Sequence, residues 1–531
     1  MSHPVVSTAY QALVEPAPVQ PRITRVRGLV LALPWVGFVV QCFLASTSTD
    51  ILCSLLAATG SYLLLYDCFR EIRFLRFPLS TLVLIGFAVT LQLGPLLFTA
   101  MEGNSITNIL QVPYTTFSHS LVVSAVCILA HWIYRNSAIL YQLKAAVQHI
   151  MLRLYIFKPL HSSEVIWMGA LGTFALAVSS WFNNQVTNTI VLKFIVGFDF
   201  LSIIPASFLL CRLLGMNDRL ERNKFVQPLL IYLGFQALIV VTSVGRGARG
   251  PFLVPIVCLI IGFAFEWLYG LIRIRLSIFI SLALVLLLAL PTVTDLATAI
   301  VMARFLRGDI PAQELLAVTL ELMKDRETLR QYTIGKTLKL SEDRNDTYVS
   351  NLFLARFVNA RYPDISLTFS QRITPQAGLQ MARIQFLRVV SIFPGPVLDL
   401  FGLAKLKDLA LSGSMGDFLM SLANTGSIYM VGGFFAGHFF GTGMAGFGYG
   451  YLIILLLGLL LVFPLLDSHA LLSSHMIPVF SAVAITQLFP WLTFSSSESV
   501  ASFFIFSFRT FFEPILLFFL VRSTLAFFKA V

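Results

Sequence analysis

The sequence predicts an all-α polytopic membrane protein with about 12 transmembrane helices and one large helical loop. The chain has 531 residues, of which 57% are hydrophobic and 12% are charged, whereas soluble globular domains carry roughly 25% charged residues. Several windows of ~20 residues contain no charged side chain, and that length crosses a hydrocarbon core of ~30 Å. The apolar runs are continuous and do not alternate with polar residues, which excludes a transmembrane β-barrel.

The apolar runs predict where the transmembrane spans lie along the chain. We expect spans near residues 28–46, 51–68, 78–100, 117–134, 165–181, 188–214, 225–244, 251–269, 276–297, 446–466, 477–494 and 510–526. They divide the chain into an N-terminal tail (1–27), the first set of spans (28–297), a large outer loop with a Gly-rich segment (298–445) and the last set of spans (446–531). No cleavable signal peptide is expected, because the run that starts at Gly28 is long enough to stay as an anchor.

Lysine and arginine in the short connections predict the orientation. Cytoplasmic loops carry an excess of these residues. All of the following fall on one side if the N-terminus is cytoplasmic: Arg22, Arg25, Arg27, Arg70, Arg73, Arg76, Arg135, Lys144, Arg153, Lys158, Arg212, Arg219, Arg222, Lys224, Arg273, Arg275, Arg522 and Lys529. The opposite connections, near 47–50, 101–116 and 182–187, carry none. Both termini are therefore predicted to be cytoplasmic and the large loop to face outward.

Composition and motifs also narrow the function. The net charge is +11, but cations beside headgroups explain it better than a nucleic-acid partner. The cysteines lie in apolar runs without metal-ligand spacing, so we interpret them as small buried side chains: Cys42, Cys53, Cys68, Cys127, Cys211 and Cys258. No zinc motif, phosphate-binding loop, nucleophile elbow or Asp-rich metal pair is present. We expect no metal and no cofactor.

The large loop is predicted to fold as a helical cap. Residues 311–329 follow an amphipathic pattern with Leu316, Leu320 and Met323 on one stripe, and residues 346–361 follow a similar pattern.

A third cap helix is marked by capping residues. Thr374 is a good N-cap and Pro375 suits a first helical turn, so a helix is expected through about Val390. The Pro- and Gly-containing stretch 391–396 ends it.

The Gly-rich segment 419–445 leaves two alternatives open. Gly433, Gly437 and Gly441 recur every four residues, which suits close helix packing or a re-entrant segment that lines a cavity. A full extra span would place Arg522 and Lys529 on the outer side, so we expect a re-entrant or surface-lying segment.

Arginines on the outer face are the candidate substrate-binding residues. The guanidinium group is permanently charged and matches phosphate oxygens in a bidentate geometry. The candidates are Arg246, Arg249, Arg304, Arg307, Arg356, Arg361, Arg372, Arg383, Arg388 and Arg509. A single loop arginine is more often solvated or ion-paired. Arg246 and Arg249 stand apart, because they lie in a Gly-rich turn before a helix that starts near Pro251, where free N–H groups favour an anion.

The general base stays unassigned from sequence. Asp417 and His438 are the candidates for a catalytic role, and His119 at the mouth of the fourth span is a further one. For either histidine a structural, capped role is the more common alternative. Ionisable groups inside a span, such as Lys193 and Asp199, are costly and often functional.

Several of these motifs resemble those of a known family. The run Gly247-Ala248-Arg249-Gly250-Pro251-Phe252-Leu253 resembles the Gly-Ser-Arg-Gly-small-Leu turn of bacterial polysaccharide repeat-unit polymerases, the Wzy-type O-antigen polymerases. An Arg-rich outer loop and a Gly-rich helix entry, Gly446 to Gly450, that leads to Asp467 are also similar. Arg509 fits an arginine before the last helix, although the family often has Arg-Gly where this chain has Thr510.

The resemblance implies a glycosyltransferase C-like fold with a large periplasmic loop, in the bacterial inner membrane. It implies transfer of a glycan from an undecaprenyl-diphosphate-linked oligosaccharide to another lipid-linked repeat unit, for O-antigen or exopolysaccharide. By position, Arg249 binds the diphosphate, with Arg246 as its neighbour. Membrane lipids, a chain-length regulator and a flippase are the candidate partners, and nucleic acid is not one.

Two other functions are alternatives. An O-antigen ligase has the same fold, but related ligases use a histidine in the outer loop, and this loop has none before the Gly-rich segment. A polysaccharide or lipid transporter is the non-enzymatic alternative. Transporters typically show internal repeats and broken helices in both halves, and neither is evident in the sequence.

Overall fold

The computed structural model describes residues 22–181, 190–215, 226–245, 250–272, 291–303 without 293, 306, 310–331 without 330, 348–349, 355, 358–428 without 394, 437–473 and 477–530. Within these ranges, nine helices are long and apolar enough to cross a membrane: Ile23–Leu44, Ser48–Cys68, Pro78–Met101, Pro113–Asn136, Ser162–Ser179, Val226–Gly245, Gly250–Leu268, Phe439–Asp467 and Ala501–Phe527. The prediction of a polytopic helical membrane protein is confirmed.

Shorter elements complete the described chain. The further α-helices are Glu71–Arg76, Ala138–Arg153, Ile190–Val196, Ala312–Lys324, Arg361–Ser370, Pro375–Val390, Gly395–Asp399, Ala404–Leu411, Met415–Thr425 and Ala482–Leu492. Strands Ala470–Leu472 and Pro478–Phe480 pair antiparallel, with Leu471 opposite Val479. Several spans contain irregular turns, which are the π-helical turns Val89–Leu93 and Phe506–Thr510 and the 3₁₀ turn Gly448–Gly450.

Two expected spans differ from the structure, and a third lies mostly outside the described residues. The run 188–214 contains the α-helix Ile190–Val196 and then the 3₁₀ segment Asp199–Phe208, where Pro205 lacks the backbone N–H that a continuous α-helix needs. The run 477–494 forms a strand and the 11-residue helix Ala482–Leu492, which is too short to cross a bilayer on its own. Residues 273–290, most of the run 276–297, lie outside the described residues.

One group of span ends meets around two buried aspartates. Asp67, near the end of the second span, contacts His131 and Arg135 near the end of the fourth. Asp467, at the end of the span Phe439–Asp467, accepts a hydrogen bond from Ser80 at 2.6 Å. We call this the network end of the bundle.

Other span termini also lie at the network end. The backbone N–H of Arg22 donates to the carbonyl oxygen of Leu268 at 2.8 Å. Arg522 donates to the carbonyl oxygens of Tyr155 and Lys158 at 2.7 and 2.8 Å. The span ends that the Lys and Arg pattern assigns to one side of the membrane therefore lie at the same end of the bundle. Which side faces the cytoplasm stays a prediction.

The opposite end of the bundle is covered by loop helices, and we call it the capped end. Asp364, in the helix Arg361–Ser370, accepts hydrogen bonds from the backbone N–H groups of Gln111 and Val112, which precede the fourth span. The cap has its own apolar core, formed by Ile365, Phe369, Ala377, Met381, Ile384, Met415, Phe418, Leu419 and Leu422.

The cap helices confirm one prediction and correct two. The helix Pro375–Val390 begins as expected, and Thr374 accepts from the N–H of Ala377. In the helix Ala312–Lys324, by contrast, Leu320 is exposed and the buried positions are Leu315 and Thr319. The packed stripe thus includes Leu316, as predicted, but it runs through Leu315 and Thr319 and not through Leu320.

The second correction concerns the segment 346–361. Val358 and Asn359 are not helical and Arg361 begins a helix, so the expected helix does not extend to Arg361. Most of the remainder of the segment lies outside the described residues.

The Gly-rich segment uses its small residues for close packing. A Cβ atom on Gly441 would lie 2.1 Å from the backbone of Ser366, and one on Gly437 would lie 2.7 Å from the nitrogen of Gly416. Such distances allow only glycine. The helix Met415–Thr425 ends at Gly426, whose φ is +70°. Close packing is thus observed at Gly437 and Gly441. Gly433 lies outside the described residues, and a re-entrant or surface-lying course of the segment stays a prediction.

Candidate functional site at the capped end

Both candidate catalytic residues are engaged in holding helix ends. Asp417 is buried, and with Ser414 it forms a capping box at the start of the helix Met415–Thr425. The backbone N–H of Ser414 donates to Oδ2 of Asp417 at 3.2 Å, and the N–H of Asp417 donates to Oγ of Ser414 at 2.9 Å. This reciprocal pair satisfies helix-terminal N–H groups. The carboxylate of Asp417 is thus better explained as a helix cap than as a base.

His438 is also buried and fixed on both ring nitrogens. Nε2 lies 3.0 Å from the carbonyl oxygen of Ser495, and the backbone N–H of Phe440 donates to Nδ1 at 3.2 Å. Since a carbonyl oxygen can only accept, the proton is on Nε2. Burial lowers the pKa of His438 to about 3, so the ring is neutral and has no free nitrogen for proton transfer.

Arg361 is a structural residue as well. Its Nη1 lies 2.8 Å from Oδ2 of Asp364, and its side chain is almost completely buried. Burial raises the pKa of Asp364, and the backbone N–H groups of Gln111 and Val112 act in the opposite direction. This ion pair ties the cap to the connection before the fourth span, and it is not accessible to a substrate.

Arg388 joins several parts of the capped end. Nε donates to the carbonyl oxygen of Ala410 at 3.0 Å, and Nη2 donates to that of Gly413. Nη1 lies 3.9 Å from Oε2 of Glu498. Burial lowers the pKa of Arg388, and the carboxylates of Glu498 and Asp417 oppose this effect. Arginine keeps its charge under these conditions, so the site carries a fixed positive group.

Glu498 is the carboxylate that remains accessible in this cluster. Oε2 accepts from the backbone N–H of Met415 at 2.9 Å. The carbonyl oxygen of Glu498 accepts from the hydroxyl of Thr442 in the Gly-rich helix at 2.8 Å. The side chain of Glu498 is 38% exposed and that of Arg388 is 18% exposed. A partly exposed carboxylate can accept the proton of an attacking hydroxyl group. The fixed guanidinium beside it can stabilise the negative charge of a leaving group.

Sequence reasoning missed Glu498, although a signal was present. It is the only acidic residue between Asp467 and Glu513, and it lies in the serine-rich break 495–499 between two apolar runs. A lone acid in such a break, close to a span, is a typical functional position.

The other described candidate arginines lie apart from this pair. Arg383 is exposed on the helix Pro375–Val390, and Arg372 lies over the ring of Phe369, 5.4 Å from its centroid. Arg509 lies within the last span, which begins at Ala501 and not near 510 as expected. Its ion pair is with Glu513 at 3.4 Å. The remaining candidates, Arg246, Arg249, Arg304, Arg307 and Arg356, lie outside the described residues.

The helices that flank the Gly-Arg turn are described, and they pack against the cap. Val244 precedes the turn and Phe252 follows it, and both belong to an apolar cluster with Ile300. Leu316 of the cap helix Ala312–Lys324 packs against the same cluster. The flanks of the turn and the first cap helix thus share one core.

His119 lies beside the Gly-rich entry to the span Phe439–Asp467. Its Nδ1 is 3.0 Å from the hydroxyl of Tyr451, and its ring stacks on Tyr449 at 5.7 Å between centroids. Tyr449 is exposed. The Gly448–Gly450 turn therefore presents an aromatic ring at the surface, and the buried His119 supports that ring from behind.

The network end holds a second set of ionisable side chains, which come from positions far apart in the sequence. Arg73 and Arg135, predicted to be headgroup anchors, both pair with Asp67. Nε2 of His131 lies 3.2 Å from Oγ of Ser80, which donates to Asp467. A signal for this cluster was present in the sequence, because Asp67, His131 and Asp467 lie in or at the end of apolar runs, where ionisable residues are often functional. Among the described residues, no group of three or more His, Cys, Asp or Glu side chains is arranged to hold a metal ion.

Comparison of the chain with protein-family models, curated proteins and solved structures finds no match. The resemblance to repeat-unit polymerases therefore rests on the short motifs quoted above.

Proposed function

We propose that the protein is a polymerase of lipid-linked oligosaccharide repeat units, acting at the periplasmic face of a bacterial inner membrane on a glycosyltransferase C-like fold with about 12 spans. The donor is a glycan on undecaprenyl diphosphate, and the acceptor is a sugar hydroxyl of another lipid-linked repeat unit. The observation that carries the proposal is the shared core of Val244, Phe252, Ile300 and Leu316. In this core the two described helices that flank the Gly-Arg turn contact the first cap helix.

The residues have distinct roles in this reaction. Arg246 and Arg249 bind the diphosphate, because guanidinium groups and a helix N-terminus both favour phosphate oxygens. The sugar hydroxyl attacks the anomeric carbon, the bond from that carbon to the diphosphate oxygen breaks, and undecaprenyl diphosphate leaves. Among the described residues, Glu498 is the candidate that accepts the hydroxyl proton, because its carboxylate is partly exposed beside Arg388. It replaces Asp417 and His438, which hold helix ends.

The experiment uses the purified full chain with lipid-linked repeat units. We expect a ladder of glycans of increasing length. Arg249→Ala should shorten the ladder or remove it at normal expression. Arg153→Ala, an exposed arginine at the far end of the helix Ala138–Arg153, is the matched control and should leave the ladder intact.

Three outcomes would contradict the proposal. A normal ladder with Arg249→Ala excludes the assigned role of that residue. Transfer onto lipid A core but not onto a second repeat unit identifies a ligase. Unmodified glycan lipid that appears on both sides of a vesicle, with no change in chain length, identifies a transporter.

A further inference from the structure

The cap exposes six large apolar side chains between residues 379 and 411, which we call the apolar face. It consists of Leu379, Phe386, Phe393, Leu400, Phe401 and Leu411, all exposed. The helix Pro375–Val390 contributes Leu379 and Phe386, seven residues apart and so on one side of the helix. Its other side is also apolar, with Met381 and Ile384 buried in the cap core. Arg383 lies between Leu379 and Phe386 on the exposed side, so this side combines two large apolar side chains with one cation, as in a helix at a membrane surface whose long cationic side chain reaches the headgroups.

The most exposed part of this face is held in a fixed shape. Leu400 is 83% exposed and Phe401 is 72% exposed. Both lie in a turn closed by hydrogen bonds from the N–H groups of Phe401 and Leu403 to the carbonyl oxygen of Leu398, at 3.1 and 2.9 Å. Gly402 has a φ of +66°, which favours glycine. The turn therefore presents two large apolar side chains that cannot simply fold back.

The apolar face lies at the level of the span ends. A Cβ atom on Gly378 would be 2.8 Å from the carbonyl oxygen of Ala445, and one on Gly446 would be 3.2 Å from the backbone of Ala382. Ala445 lies in the helix Phe439–Phe447, which the Gly448–Gly450 turn separates from the helix Tyr451–Asp467 of the same candidate span. The helix Pro375–Val390 thus lies beside the segment that leads into this span.

The candidate span that follows also exposes apolar side chains. Along the same span Tyr449, Ile453 and Leu457 are exposed at intervals of four residues, which is the pattern of a lipid-facing stripe. Around the turn the exposed charges are mixed, with Asp399, Lys405 and Asp408. Mixed charge around an apolar tip suits the boundary between headgroups and acyl chains, where long side chains extend to water.

We propose that the apolar face is seated in the bilayer leaflet at the capped end, with Leu400 and Phe401 at the boundary between headgroups and acyl chains. The cap is then an interfacial part of the membrane domain and not a water-exposed lid. This inference is independent of the proposed function, since it concerns only how the cap meets lipid.

The test places a single fluorescent reporter on the turn. Cys42 is the exposed one of the six free cysteines, so a Cys42→Ser background leaves only buried thiols. Phe401→Cys in that background is labelled with a polarity-sensitive fluorophore, and the full chain is reconstituted into phosphatidylcholine vesicles. Asn424→Cys, at an exposed polar position near the end of the helix Met415–Thr425, is the control. Leu379→Cys is a second site on the apolar face, in case the Phe401 variant does not fold.

We expect the reporter at position 401 to emit at shorter wavelength than the control and to lose most of its fluorescence when the lipids carry bromine on the first acyl carbons. The control should keep water-like emission without quenching. Water-like emission at positions 401 and 379 would overturn the proposal. Short-wavelength emission without quenching by brominated lipid would also overturn it, because a second protein copy would then cover the face.

Discussion

Asp67 at the network end is enclosed by His131 and Arg135, whereas Glu498 at the capped end stays partly exposed beside Arg388. Both ends bring an acid and an arginine together, but the environment differs. An enclosed and fully paired charge holds helices in place, and removing one partner leaves the other buried without compensation. An accessible carboxylate beside a fixed cation can meet a substrate. Exposure, more than the presence of an ion pair, separates the structural cluster from the candidate site.

The largest expected effect tests the capped end. Glu498→Gln keeps an oxygen that can accept from the N–H of Met415, so the fold should hold. It removes the group that accepts the proton, and general-base catalysis typically contributes about 10²–10⁴ in rate. We expect ladder formation to slow by about that factor, as measured on initial rates with purified protein.

The matched control for this change is Glu513→Gln. Glu513 is also a partly exposed acid paired with an arginine, Arg509. An equal loss of rate in both variants, or no loss in Glu498→Gln, would remove Glu498 from the site.

The next effect tests the network end. Asp67→Asn leaves Arg135 and Arg73 without their carboxylate, and breaking a buried pair costs about 3–5 kcal/mol. The midpoint of thermal unfolding in detergent should fall strongly, while the ladder rate per folded molecule should not change. Asp408→Asn, at an exposed position, is the control and should leave the midpoint unchanged. An unchanged midpoint in Asp67→Asn would show that the network does not hold the spans together.

A third prediction concerns close packing in the cap. Gly441→Ala places a Cβ atom 2.1 Å from the backbone of Ser366, and overpacking typically costs about 1–3 kcal/mol. Gly234→Ala, in the helix Val226–Gly245, meets nothing within 4 Å. We expect the first variant to lower the thermal midpoint and the second to leave it unchanged or raise it. The reverse order would contradict the assigned packing.

The smallest effect is a dependence on pH. Burial holds the pKa of His438 at about 3, whereas an unfolded histidine has a pKa of about 6.5. The unfolded state therefore binds more protons between these values, so stability is complete above pH ~6.5 and falls as the pH drops toward ~3. His469, which burial also lowers to a pKa of about 3, acts in the same direction.

Replacing the histidine separates the two contributions. His438→Asn keeps a side-chain acceptor for the helix start but cannot titrate. The free energy of unfolding, measured from pH ~7 downward, should decline less steeply than in the wild type, with a difference in slope of at most about 1.4 kcal/mol per pH unit. Identical slopes would indicate that His438 is not held neutral by burial.

Local signals in the sequence were enough for much of the fold. Continuous apolar runs identify most spans, and Thr374-Pro375 gives the start of a cap helix. The Lys and Arg pattern groups the span ends as the structure does. Local signals fail where pairing with another segment decides, as for the strand Pro478–Phe480 in the apolar run 477–494, which pairs with Ala470–Leu472.

The candidate site was less predictable, because pairing partners are distant in the chain. Arg388 and Glu498 are separated by 110 positions, and Asp67 and Arg135 by 68. Asp417 has the residue type of a catalytic group, but Ser414 three residues before it fits the sequence pattern of a capping box. The second partner of His438, the carbonyl oxygen of Ser495, is 57 positions away and has no local signal.

The measurement that tests the central claim most directly is the sidedness of the two ends. In the Cys42→Ser background, Asn424→Cys marks the capped end and Asn136→Cys, at the exposed end of the helix Pro113–Asn136, marks the network end. Cells stripped of their outer envelope are treated with a thiol reagent that does not cross membranes. We predict labelling of Asn424→Cys in intact cells and of Asn136→Cys only after lysis. Labelling in the reverse order would place the cap in the cytoplasm and contradict a reaction on the outer face.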